Sequence, residues 1–283
     1  MYLLVDIGGT KTRVAFSRGD KVDKVSKEDT PEDYEEGVES IVRLASDVAE
    51  ASNVVKVVVG AAAILDEKKE KLFVSPNNRA WEGKSLKGDL QERFKTPVVL
   101  ENDSALAGLG EAVFGAGRGY KIVSYLTVST GIGGVRVVEG RIDANHLGFE
   151  PGHQIIDADA TIFPGYQPDG AGASIADLEE LVSGTGIEGR FGVRAEQLDD
   201  EKAWREIHRY LAVGFANTIL HWSPEVLIIG GGILNSNHFS LTKIDGHLRE
   251  LLSVLPTTPK LVEAELGDES GIHGALMLAK TQD

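Results

Sequence analysis

The chain of 283 residues contains no cysteine. That single absence excludes disulfides, thiolate zinc sites and a cysteine nucleophile. Basic residues are also scarce, with 29 Lys+Arg against 44 Asp+Glu and a formal net charge of -15. A surface of that sign repels phosphate backbones, so nucleic-acid binding is disfavoured as the main activity. No apolar run is long enough to span a membrane, and residues 1–5 lead straight from Met into an apolar segment without the basic start and cleavage site of a signal peptide. The expectation is a cytoplasmic protein with no membrane partner. What remains, 42% hydrophobic and 26% charged residues, is the balance of a globular chain long enough for two domains.

The stretch richest in chemistry is Leu100-Glu101-Asn102-Asp103-Ser104-Ala105. A β-branched run from Thr96-Pro97-Val98-Val99 ends there in carboxylates and an amide, and small helix formers (Ala105, Leu106, Ala107, Leu109) follow. This reads as a buried strand passing directly into a helix. Asp103 then stands at the carboxyl end of a strand, where α/β sheets bind ligands. It is a candidate catalytic base. Asn102, Asp103 and Ser104 also suit a helix N-cap, so capping and chemistry compete for these residues.

Two glycine turns flank this stretch. In the first, Tyr2-Leu3-Leu4-Val5-Asp6 leads through Ile7-Gly8-Gly9-Thr10-Lys11-Thr12 into Arg13-Val14-Ala15-Phe16-Ser17, a strand, turn and strand. Gly8 and Gly9 permit positive φ and leave backbone N–H groups open to an anion, with Thr10 adding a hydroxyl and Lys11 or Arg13 positive charge. An ordinary two-residue hairpin accounts for Gly-Gly equally well. In the second, Lys121 to Val128 leads through Ser129-Thr130-Gly131-Ile132-Gly133-Gly134 into Val135 to Glu139. One device used twice suggests a duplicated fold holding nucleotide phosphates between its halves.

The remaining pattern alternates strands and helices. A strand is expected from Lys21 to Ser26, a helix from Pro31 and Glu32 to about Ala51, and a continuous apolar strand from Val54 to Ala63. Residues 64–84 read as loop. Their Ser75-Pro76-Asn77-Asn78 segment forms either a surface Asx turn or an amide pair lining a polar pocket. Helices are expected from Ser85 to Phe94, Asp199 to Trp222 and Leu241 to Leu252, strands from Glu225 to Ile229 and Lys260 to Val262, and a last helix from Ser270. Gly115-Ala116-Gly117-Arg118-Gly119 is a candidate boundary. It divides a small domain, 1–115 with 270–283 packing back on it, from a larger one, 116–269.

Five motifs, in this order, resemble the ROK family of sugar kinases and sugar-responsive repressors: Asp6-Ile7-Gly8-Gly9-Thr10-Lys11, Glu101-Asn102-Asp103, Ser129-Thr130-Gly131-Ile132-Gly133-Gly134, Glu150-Pro151-Gly152-His153 and Ile229-Gly230-Gly231-Gly232. The resemblance covers nearly the whole chain. It implies an actin-like, hexokinase-type fold of two α/β domains with a cleft between them. It also implies ATP-dependent phosphorylation of a hexose or N-acetylhexosamine, usually at the 6-hydroxyl, with Asp103 as the base. Asn102, one of Asn77 and Asn78, Glu150, His153 and Glu179 match sugar contacts. Asp6, Gly8, Gly9, Thr10, Lys11, Thr130, Gly131 and Gly133 match phosphate-binding positions, and Gly230, Gly231 and Gly232 the loop beneath the adenosine. Magnesium is implied by the phosphate chemistry, with Asp6 an outer-shell partner and no dedicated ligand. A homodimer is common among such proteins.

One departure stands out. Family members follow the Glu-Pro-Gly-His segment with a cluster in which three cysteines and the histidine hold zinc. Here those cysteine positions fall on Gly170, Gly172 and Asp177. His153 and Asp177 are too few and too hard a set for such a site, so no structural zinc is expected. Glu179 falls on the cluster's final glutamate. His153, without a metal, serves either as a sugar contact or to orient Glu150. A DNA-binding regulator or a silent sugar binder are the competing functions. The acidic charge and the first strand beginning at residue 2 disfavour the regulator, and the presence of Asp103 disfavours the silent binder.

Overall fold

The computed structural model describes residues 1–48, 54–158 and 176–281, which fall into two compact units. The first comprises Met1–Gly119, Gly140–Gly148 and Asp268–Asp283; the second comprises Tyr120–Glu139 and Phe149–Gly267.

The first unit begins as an antiparallel meander of β1 (Tyr2–Ile7), β2 (Lys11–Ser17) and β3 (Val22–Asp29). Helix α1 (Tyr34–Val48) follows, starting later than Pro31, and its expected end near Ala51 lies outside the described residues. Strand β4 (Lys56–Ala61) then pairs parallel to β1, and β7 (Val98–Asn102) parallel to β4, giving the order β3-β2-β1-β4-β7. Every residue of β4 from Val57 to Ala61 is buried. This is what a continuous apolar run in a parallel strand covered on both faces requires.

Residues 64–84, expected to be loop, contain a hairpin of β5 (Ile64–Leu65) and β6 (Leu72–Val74) and a 3-10 turn at Arg79–Trp81. Strands of two and three residues are too short to show a period, which is why sequence pattern passes over them. Helix α2 (Leu86–Phe94) precedes β7, and α3 (Asp103–Phe114) leaves β7 without an intervening loop. The last helix, α8 (Ser270–Thr281), packs against α3, β1 and β4. Gly110 and Gly274 let the two helices meet closely: a methyl on Gly274 would lie 1.8 Å from the Leu106 carbonyl oxygen, and one on Gly110 2.2 Å from that of Ser270. Leu3, Val5, Ile7, Val57, Val59, Leu100 and Trp81 belong to this unit's core.

In the second unit β8 (Ile122–Val128) and β9 (Ile132–Val138) form an antiparallel hairpin, β13 (Val226–Gly230) adds parallel to β8, and β14 (Lys260–Glu263) adds parallel to β13. Between them in sequence come β10 (Arg141–Ile142), which belongs to the first unit, and the pair β11 (Ile155–Asp157) and β12 (Ala176–Asp177). Two short helices, α4 (Leu178–Val182) and α5 (Gly184–Phe191), were not expected. Gly184, Gly186 and Gly189 argue against α5 on propensity, and packing overrides it. The long α6 (Glu201–Trp222) is the core helix its apolar spacing implied, with Trp204, Ile207, Leu211 and Phe215 buried. Helix α7 (Leu241–Leu251) completes the unit.

The glycine doublets correct one expectation. None of Gly8, Gly9, Gly131, Gly133 or Gly134 adopts positive φ. Gly133 and Gly134 are not turn residues at all but lie within β9, opposite Thr127 and Leu126. They serve close approach instead. A methyl on Gly134 would lie 2.6 Å from the Tyr125 carbonyl oxygen and 2.9 Å from Pro151. One on Gly9 would lie 2.7 Å from Asn77 Cβ.

Candidate active site

In the first unit the parallel strands β1, β4 and β7 end side by side, with Asp6, Gly60 and Glu101 in register and Ile7, Ala61 and Asn102 one step beyond. A methyl on Gly60 would sit 3.8 Å from Asp6 Oδ1, 3.5 Å from Asp103 Cα and 2.9 Å from Leu106 Cδ1, so β4 contributes no side chain between the two aspartates. The strand-end placement of Asp103 thus emerges from pairing of apolar runs alone.

Capping and chemistry fall to different residues. Asn102 is the N-cap of α3: its Oδ1 accepts from the Ala105 N–H at 3.0 Å, and its Nδ2 donates to the Ala63 carbonyl at 3.1 Å. Asp103 is the first helical residue, and its Oδ1 accepts from the Ser104 N–H at 2.7 Å and hydroxyl at 3.4 Å. Burial raises the Asp103 pKa above the usual carboxylate range, against the lowering effect of the Ser104 hydrogen bonds. Asp6 is pushed up to about 7, by burial first, then by the Asp103 charge and that of Asp268, with Arg13 opposing. Arg13 donates from Nη2 to Asp268 Oδ2 at 2.8 Å and reaches Asp6 Oδ2 at 3.5 Å. Lys11 is paired with Asp29.

The Gly8-Gly9-Thr10 turn is closed by the Gly8 N–H donating to the Lys11 carbonyl at 3.0 Å. The N–H groups of Gly9 and Thr10 have no partner among the described residues and can face an anion. Asn77 is exposed and packs over Gly9, whereas Asn78 is 7% exposed. The Asn78 side-chain amide has no hydrogen-bond partner among the described residues.

The second unit holds the other predicted residues. The Ser129-Thr130-Gly131 turn between β8 and β9 is gripped from two sides. The first N–H groups of α5 donate to it, Gly184 to the Ser129 carbonyl at 2.6 Å and Thr185 to that of Thr130 at 3.2 Å. Glu179 Oε2 accepts from the Ile132 N–H at 2.6 Å, in space that a side chain on Gly131 would fill. A cavity of about 190 Å³ opens beside this turn, lined by Thr130, Thr185, Glu188, Arg194, Gly232 and Ile233, among others. Gly231, at φ +94, begins the 3-10 turn Gly232–Asn235 beneath it. Glu188, Arg194 and Thr185 carried no sequence signal of their own, because the cavity is assembled from elements far apart in the chain.

Glu150 precedes the 3-10 turn Pro151–His153. His153 Nδ1 lies 2.9 Å from Asp177 Oδ2, and Asp177 Oδ1 caps α4 by accepting from the Glu180 N–H at 2.8 Å. The His153 pKa is pushed up to about 9, by the Asp177 hydrogen bond first and then by Glu179, Asp177 and Glu150, against a lowering effect of burial. No group of three His, Cys, Asp or Glu side chains that could hold a metal occurs among the described residues, and Gly170 and Gly172 lie outside them.

A sheet whose parallel strands β1 and β7, on either side of β4, end at Asp6 and Asp103, and a second sheet whose glycine turn borders a cavity, invite comparison with known proteins. The family model described as "ROK family" matches residues 2–282. The chain belongs to the ROK family. Among its relatives, a glucokinase of Streptomyces coelicolor is 28% identical over 312 residues, covering 99% of this chain and 97% of that one. An N-acetyl-D-glucosamine kinase of Vibrio cholerae is 29% identical over 302 residues, covering 98% and 99%. A crystal structure of a ROK family glucokinase from Streptomyces griseus, in complex with glucose and AMPPNP, superposes with a TM-score of 0.81 at 26% identity over 99% of each chain. The fold is therefore the actin-like, hexokinase-type α/β fold of ROK sugar kinases.

Proposed function

We propose that this ROK protein transfers the γ-phosphoryl group of ATP to the 6-hydroxyl of a hexose or an N-acetylhexosamine, with Asp103 as general base. The hydroxyl oxygen forms a bond to phosphorus as the bond between phosphorus and the β,γ-bridging oxygen breaks. The proton passes to the Asp103 carboxylate and ADP leaves. Phosphoryl transfer asks mainly for positioning and charge stabilisation, with one base at the nucleophile.

The observation that carries this reading is the division of labour at the head of α3. Asn102 takes the capping role, which leaves Asp103 with an oriented carboxylate of raised proton affinity. Asn78, 7% exposed and with no side-chain hydrogen bond among the described residues, supports the reading as a hydroxyl ligand on the acceptor side. Thr130, Gly131 and the Arg194-lined cavity support ATP as donor. In the first unit the N–H groups of Gly9 and Thr10 can each face an anion. A magnesium ion bound with the nucleotide supplies neutralisation of phosphate charge. Asp6, a carboxylate with 13% of its side chain exposed, suits the outer shell of an ion that keeps its waters.

The test is release of ADP over a panel of glucose, mannose, N-acetylglucosamine and N-acetylmannosamine. Turnover with at least one sugar is expected, and none with any would remove the kinase reading in favour of sugar sensing.

A further inference from the structure

Glu101 is the residue whose chemistry the proposed reaction leaves unused. It lies in β7, in register with Gly60, and its side chain is only 9% exposed. A carboxylate at that depth needs compensation. One oxygen, Oε1, accepts from the Asn102 N–H at 3.0 Å. The other, Oε2, receives Lys69 Nζ at 2.5 Å.

Lys69 reaches it from the turn between β5 and β6, 32 residues earlier. Its backbone is at φ +51, a conformation that side chains other than glycine's rarely adopt. The turn around it is built by Asp66, whose Oδ1 accepts from the Glu70 and Lys71 N–H groups at 2.7 Å each and whose carbonyl accepts from the Lys69 N–H at 2.8 Å. A second tie runs parallel to the first. The Asn102 Nδ2 donates to the carbonyl of Ala63, immediately before β5, at 3.1 Å. The hairpin is thus fastened at its base and at its tip to consecutive residues of the strand end that presents Asp103.

The chain leaving this hairpin is the Ser75-Pro76-Asn77-Asn78 segment. Ser75 is fixed by its N–H donating to Glu82 Oε1 at 3.0 Å, and the Asn78 N–H closes the turn onto the Ser75 carbonyl at 3.1 Å. The chain itself continues from Asn78 through the 3-10 turn, where the Trp81 N–H donates to the Asn78 carbonyl at 2.9 Å, and through α2 to β7. The hairpin and its two ties add a polar route from the other side of Asn78 to the same strand end.

We propose that Lys69 is a positioning residue for the phosphoryl acceptor: its ion pair with Glu101 locks the β5–β6 hairpin to β7 and so fixes Asn78 relative to Asp103. The functional half of this inference rests on the sugar-kinase reading. The ion pair itself does no chemistry. It sets where Asn78 meets a sugar hydroxyl, so its loss is read as weaker sugar binding.

Two arms test it in the whole protein. In the absence of any ligand, amide hydrogen exchange of residues 70–78 should accelerate at least tenfold in Lys69→Met, with the amides of α6 unchanged, and return in Lys69→Arg. In kinetic assays Lys69→Met should raise the sugar KM on the order of tenfold while the KM for ATP stays within twofold, and Lys69→Arg should restore most of it. Glu101→Gln keeps an acceptor for the Asn102 N–H but loses the charge. Added to Lys69→Met, it should cost little more than either alone, and it serves in its place where that variant does not fold. Unchanged exchange in residues 70–78, or faster exchange with an unchanged sugar KM, would overturn the proposal. A wild-type protein that turns over no sugar would fail the kinase reading, and the exchange arm together with calorimetric sugar titration of the same variants would then decide for or against Lys69: a sugar Kd unmoved by Lys69→Met overturns it.

Discussion

Gly274→Ala tests how the packing of α8 on α3 holds Asp103 in place. The new methyl would lie 1.8 Å from the Leu106 carbonyl oxygen and short of the 3.4 Å of ordinary contact by about 1.6 Å. Its neighbours Leu106 C and Cα, at 2.5 and 3.0 Å, are backbone as well, so no side chain can turn aside. The helices must separate. Leu106 is one turn beyond Asp103, so most of the displacement falls on the end of α3 that carries the base. Overpacking against backbone belongs at the upper end of its usual range, about 3 kcal/mol, and it exceeds the roughly 1 kcal/mol that alanine gains over glycine in a helix. The net loss of about 2 kcal/mol corresponds to a fall in Tm of about 4–8 °C. A shift of about 1 Å at the base costs kcat on the order of a hundredfold at temperatures where the variant is folded. Gly246→Ala in α7 is the matched control, since nothing lies within 4 Å of its added methyl. It should raise stability by up to about 1 kcal/mol and leave kcat alone. Calorimetry and the ADP-release assay read both. Wild-type Tm and kcat in Gly274→Ala would refute the claim that this contact positions Asp103.

The acidic limb of the kcat profile should fall above the ordinary carboxylate range, because the base must be ionised and burial raises Asp103, with Asp6 beside it at about 7; a limb near pH 4 would contradict this. His208, 1% exposed in α6, is held near a pKa of about 4 by burial first and then by Lys243 and His247, so the unfolded chain takes up a proton near 6.5 that the native protein refuses. Its contribution is complete above pH 6.5 and is lost as pH falls toward 4, by about 2 kcal/mol between pH 7 and pH 5, which urea unfolding at the two values measures against His208→Leu. His153 has the opposite sign: its pairing with Asp177 is complete below pH 6.5 and is lost as pH rises through about 9, and an imidazole titration by NMR should drop toward 6.5 in Asp177→Asn.

Much of the frame was readable because it rests on local signals. The apolar run of β7 ending in Asn102 and Asp103 carries both the strand and the helix start, and the alternation of strands with helices indicated a mixed sheet, while the spatial order β1-β4-β7 came from the structure. What escaped was either too short or too far apart. Strands of two or three residues leave no period, and nothing around Lys69 announces a partner 32 residues away. Glycine was read for its freedom of φ, whereas Gly60, Gly134 and Gly274 are needed for the room they leave, which only tertiary neighbours reveal. The competition between capping and catalysis at residues 102–104 was visible in sequence, but its resolution needed the position of one amide oxygen.

The central claim is that Asp103 removes the proton of the sugar hydroxyl. Asp103→Asn preserves the shape and the Ser104 hydrogen bond while abolishing the base. With the sugar that the panel identifies, calorimetry should give a sugar Kd within about threefold of wild type, and ADP release should fall by at least about a thousandfold. ADP release within tenfold of wild type, with sugar bound, would contradict the account.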